Sequence, residues 1–176
     1  LSDTFALSAC DRIFRFLKKA WEDGEDEESR VQMSLAALEA GIAFNNSSVT
    51  IIHGMSRPIG ALFHVPHGIS NAMLLQVCME YIVDGVEERF GDIAIRCGFA
   101  EADEGKSQAA RKVLKAVKRL LDDIAIPGIR DYGISREQFF ESIPKMARDA
   151  YASGSPSNTR KEITVEVMEE LYRKLW

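Results

Sequence analysis

The residues best suited to chemistry are gathered in one stretch, "IIHGMSRPIGALFHVPHGISNAMLL" (51–75). The chain has three histidines, His53, His64 and His67, and all three fall inside it. Neutral imidazole is the commonest metal-ligand side chain. Two imidazoles on separate rigid elements suit a divalent ion such as iron or zinc. Pro58, Gly60 and Pro66 intervene between His53 and His67. That pattern predicts two elements facing one another across a bend, not one continuous helix. Gly54 and Gly68 each follow a histidine and would allow close approach to the backbone. A histidine on an apolar face is more often a satisfied core residue, so the residues alone leave both readings open. His64 reads as a pocket-edge or structural residue, because Pro66 disfavours a helical turn shared with His67.

The elements that must position these groups read as helices. Residues 3–22 carry Phe5, Ala9, Ile13, Phe16, Leu17 and Ala20 at helical spacing. Residues 27–45 carry the stripe Val31, Leu35, Leu38 and Ile42. Further helices are expected over about 68–83, 86–97, 106–124 and 136–150, with a last one ending at Trp176. Ser135 and Gln138 form a capping-box pattern, and Thr164 is a candidate N-cap. "SVTII" (48–52) is the one short β-branched run. The fold class is therefore all-α, with seven or eight helices.

Composition excludes several function classes. The net charge of −5 argues against broad nucleic-acid binding. No run of about 18 apolar residues marks a membrane span, and the N-terminal stretch does not read as a signal peptide. Cys10, Cys78 and Cys97 form no CxxC pair and are expected to be reduced thiols packed in a cytoplasmic protein. The six basic residues of 106–119 read as a solvated helix face. Ser153 and Ser155 have no histidine or acid at nucleophile spacing.

"AGIAFNN", "HGM", "PIGA" and "PHGISNAMLLQ" together resemble the signature region of the iron-containing (group III) alcohol dehydrogenases. "LSDTFALSACDRI" resembles the opening of that family's helical domain and "DAYASGSPSNTRKEIT" its closing loop. The resemblance implies the multi-helix metal-binding domain of the dehydroquinate synthase-like fold, here as a single C-terminal domain over 1–176. It implies Fe2+ (or Zn2+) held by one aspartate and three histidines, with His53 and His67 matching two of them. The other two ligands would precede Leu1, as would an α/β nucleotide domain for NAD or NADP; Leu1 then reads as a truncation point.

The same resemblance places Phe44 in the substrate pocket beside the nicotinamide, and Tyr151 where many members carry a pocket cysteine. Arg57 stands where many members have a histidine proposed for proton transfer. A guanidinium is no base near neutral pH, so Arg57 instead suits orienting an anionic substrate or a cofactor phosphate. The implied activity is oxidation of small alcohols, or reduction of aldehydes and ketones, by metal-assisted hydride transfer in the full-length enzyme; this fragment alone is expected to be inactive. The competing reading is a free-standing helical module used for binding or assembly. A truncated domain would expose an apolar face, so self-association to a homo-oligomer is expected.

Overall fold

The computed structural model describes residues 1–176 and contains no β-strand. Eight helices form: α1 (Ser2–Glu22), α2 (Glu27–Ser47), α3 (Ile51–Phe63), α4 (His67–Ile82), α5 (Glu87–Arg96), α6 (Lys106–Asp123), α7 (Arg136–Ala152) and α8 (Val165–Arg173). Short 3-10 turns occupy Val83–Gly85, Ile129–Tyr132 and Ser155–Asn158. The chain divides into two compact units, Leu1–Ser48 with Val86–Ile124, and Val49–Gly85 with Ala125–Trp176. No single helix is long and apolar enough to cross a membrane.

In the first unit α1 packs along α2, and α5 along α6. Asp26 caps α2 by accepting from the Ser29 N–H at 2.8 Å. The inward residues of α2 are small: Ser29, Ala36 and Ala43, at heptad spacing. The expected core stripe of this helix points the other way, with Val31 56%, Leu35 39% and Leu38 61% exposed. Small side chains let the backbones of α1 and α2 approach, while polar ties from Ser8 and Arg12 of α1 to Glu39 of α2, at 3.0 and 3.1 Å, fix the pairing. The result is an apolar outer face that Trp21, 56% exposed, extends from α1. The basic helix α6 is a paired, solvated face, as its sequence suggested: Lys112 meets Glu104, Lys118 meets Asp122 and Lys106 meets Asp92.

The second unit holds the histidine segment. Its core joins Ile51, Met55 and Ile59 of α3 to Leu74 and Cys78 of α4, Phe139, Ile143 and Met146 of α7, and Met168, Leu171 and Tyr172 of α8. The Ser135 hydroxyl caps α7 through the Gln138 N–H at 3.1 Å, and Thr164 caps α8 through the Val167 N–H at 3.3 Å. "SVTII" forms no strand: Ser48 has φ 74°, Thr50 is the extended N-cap of α3, and Ile51 and Ile52 are already helical. Pro58 lies inside α3 and does not break it. It withholds one N–H from the carbonyl of Gly54, and contacts outside the helix hold the segment in place.

Candidate metal and substrate site

Helices α3 and α4 meet at an elbow of three residues, His64 to Pro66. His64 ends α3 in the left-handed conformation (φ 55°, ψ 25°), its N–H bonded to the Gly60 carbonyl at 3.0 Å. Val65 is 3% exposed and anchors the elbow in the core, and Pro66 opens α4 at φ −55°. The turn folds α4 back against α3.

This fold brings His53 and His67 together. Their ring centroids are 5.4 Å apart, with the planes inclined at 58°. Two imidazoles bound to one tetrahedral ion at about 2.1 Å per nitrogen place their ring centres about 5 Å apart. The pair therefore fits a shared divalent ion in spacing as well as in donor chemistry. Burial first, then the neighbouring His67 and the Arg57 guanidinium, lower the His53 pKa from its ordinary value of 6.5. The ring is thus neutral near pH 7, the form that ligates metal. No group of three or more His, Cys, Asp or Glu side chains in the chain is arranged to hold an ion, so the imidazole pair is a partial donor set.

Polar contacts fix both histidines. The Ser56 hydroxyl donates to the His53 carbonyl at 3.2 Å, and the Ser70 hydroxyl to the His67 carbonyl at 3.0 Å. Both serines are fully buried, and each lies one turn beyond its histidine. The amide nitrogen of Asn71 lies 3.0 Å from His67 Nε2. With that amide donating, Nε2 is the unprotonated ring nitrogen, and its single lone pair serves either the Asn71 amide or an ion. Sequence reading missed Ser56, Ser70 and Asn71. Their signal was present in the spacing, since each follows a histidine by three or four residues and so sits on its helix face.

Gly54 and Gly68 play different parts. A Cβ on Gly54 would lie 2.9 Å from both Cγ and Cδ of Pro156, so the close approach expected there is made by the 3-10 turn Ser155–Asn158. A Cβ on Gly68 would meet nothing within 4 Å.

The remaining candidates are distributed. Arg57 is exposed and lies one turn after His53 on α3. His64 is exposed at the elbow itself. Tyr151 lies in the last turn of α7, in the same unit, and is 54% exposed. Phe44 belongs to the other unit, near the end of α2, and is 52% exposed.

The helical fold and its facing imidazole pair define an all-α domain in which two histidines have the spacing to share an ion. Over residues 1–176 the chain matches the C-terminal model of the Fe-containing alcohol dehydrogenase family, and it belongs to that family. It is 36% identical over 163 residues to 1,3-propanediol dehydrogenase of Klebsiella pneumoniae, covering 92% of this chain and 41% of that protein. It is 33% identical over 152 residues to lactaldehyde reductase of Escherichia coli strain K12, covering 86% of this chain and 39% of that protein. A crystal structure of 1,3-propanediol oxidoreductase superimposes with a TM-score of 0.91 at 31% identity, over 99% of this chain and 45% of that one. The chain thus spans less than half the length of these relatives.

Proposed function

We propose that this chain is the metal-binding half of an NAD(P)-dependent alcohol dehydrogenase acting on small alcohols and their carbonyl counterparts. The observation that carries the proposal is the 5.4 Å pairing of His53 and His67 across the α3–α4 elbow. Family membership supports the reaction class.

His53 and His67 would hold Fe2+ or Zn2+, with the other ligands supplied by the part of the relatives' length that this chain does not span. When bound, the ion supplies Lewis-acid polarisation of the alcohol oxygen, and NAD(P) supplies the hydride acceptor. His53 serves as a neutral donor because burial disfavours its charged form. Asn71 occupies the His67 Nε2 lone pair in the metal-free chain, and an ion bound at that nitrogen would displace the amide. Ser56 and Ser70 fix the backbone beneath each ring. Arg57 presents a fixed positive charge beside the pair and takes no proton. Tyr151 is assigned to the pocket wall and His64 to its edge. The apolar outer face of α2 supports self-association, and three free thiols support a cytoplasmic setting.

The test is alcohol-dependent reduction of NAD(P) by the full-length protein loaded anaerobically with Fe2+, beside His53→Ala and His67→Ala. Activity that disappears in both variants, together with loss of bound metal, is the expected result. Activity and metal content that survive both substitutions would place the ion elsewhere and overturn the reading.

A further inference from the structure

The surroundings of the imidazole pair have a charge pattern that the metal reading does not require. Between Glu39 and Glu80 the chain carries no aspartate, glutamate or lysine, and Arg57 is its sole formally charged residue. This stretch includes all of α3 and most of α4. It is neutral apart from one cation, in a protein whose net charge is −5.

Arg57 sits four residues after His53, so both side chains project from one face of α3. It is exposed, and it makes no ion pair and no hydrogen bond within the chain. Arg15 pairs with Asp11 and Arg89 with Asp3, whereas the stretch around Arg57 contains no carboxylate to pair with it. The first turn of α4, which begins at His67, also contains no acidic residue. An unpaired guanidinium offers a planar fork of donors that matches a carboxylate in a bidentate fashion.

We propose that Arg57 is a specificity-determining residue that binds an anionic group, a carboxylate in the first instance, carried by the substrate of this site. The preferred substrates are then hydroxy acids and oxo acids whose reacting carbon reaches the imidazole pair while the carboxylate rests on Arg57. This assignment rests on the dehydrogenase reading for the reaction, but the anion site itself does not depend on it. Arg57 touches the non-reacting end of the substrate, so its energy appears as selection between anionic and neutral substrates.

The experiment uses the full-length protein, as wild type, Arg57→Ala and Arg57→Lys. The first readout is kcat/KM for 4-oxobutanoate divided by that for butanal. The second is saturation-transfer NMR of butanoate against butanamide on the metal-free protein, which needs no turnover. The ratio is expected to fall at least about tenfold in Arg57→Ala, mainly through KM, and to recover in part in Arg57→Lys. Butanoate binding is expected to disappear in Arg57→Ala and to persist in Arg57→Lys. An equal loss on both substrates overturns the assignment. So does a rise in the KM of NAD(P) with the substrate ratio unchanged, which would make the anion a cofactor phosphate. If the protein turns over no alcohol or aldehyde, the dehydrogenase reading fails and the NMR readout decides alone. Butanoate binding lost in Arg57→Ala then supports the anion site, and binding that is absent or unaffected by the substitution overturns it.

Discussion

The hydroxyl of Tyr172 on α8 donates to the carbonyl oxygen of Met55 on α3 at 2.6 Å, between two fully buried residues that are 117 positions apart. This bond grips α3 two residues after His53, in the stretch where Pro58 interrupts the helical ladder. Burial pushes the Tyr172 phenol well above its ordinary value, so it remains a donor through alkaline pH. Tyr172→Phe deletes the bond while keeping the ring. The expected cost is about 1–2 kcal/mol in urea unfolding, the range for a buried acceptor losing its partner. No change in midpoint would show that the Met55 carbonyl is satisfied within the helix.

Gly54 tests the other grip on α3. With Pro156 atoms 2.9 Å from the position of an added Cβ, Gly54→Ala forces the Ser155–Asn158 turn outward. Overpacking of this kind costs about 1–3 kcal/mol, against the small gain that alanine brings to a helix interior. Gly68→Ala is the control, since its Cβ meets nothing. Equal stability of the two variants would contradict the packing described.

The pH behaviour of the site is set by His53. Its folded pKa lies below the ordinary 6.5, so the folded state favours the neutral ring. Its contribution to stability is therefore fully present above the ordinary value and is lost as pH falls through the lower, folded one. In the metal-free protein, NMR titration of the His53 ring should give a midpoint below 6.5. Arg57→Ala should raise that midpoint without restoring it, because burial is the largest cause. A wild-type midpoint at or above the ordinary value would rule this out.

The thiols give an independent check of packing. Burial pushes Cys78 and Cys97 up to about 12 and raises Cys10. At pH 8 the thiolate fraction of a thiol near 12 is on the order of a thousandfold below that of a free one. Native-state reaction with a disulfide reagent should accordingly be slow at Cys78 and Cys97, and all three thiols should react in denaturant. Rapid native labelling at Cys78 would show that the second unit's core is open.

The histidine pair was legible because its chemistry is local in type and spacing: two imidazoles 14 positions apart with prolines between them. Helix boundaries were legible where periodicity and caps agreed, as at Ser135 and Thr164. The inward face of α2 was misjudged, because an apolar stripe and an alanine heptad both have helical period, and only the partner helix decides between them. The ties that place α3, from Tyr172 and Pro156, join residues about a hundred positions apart and leave no trace in any local pattern. Pro58 read as a breaker, since its tolerance depends on those distant ties.

His67 lies seven residues before Leu74 and eleven before Cys78, both fully buried, and so shares their face of α4. Each residue added to a helix rotates the N-terminal part by about 100° against the C-terminal part. One insertion between His67 and Leu74 would keep the core seated and swing the imidazole away from His53. Substitutions there are constrained by side-chain type, whereas insertions and deletions are constrained by phase. The segment from the elbow to Cys78 should therefore accept exchanges at its outward positions and very few changes of length.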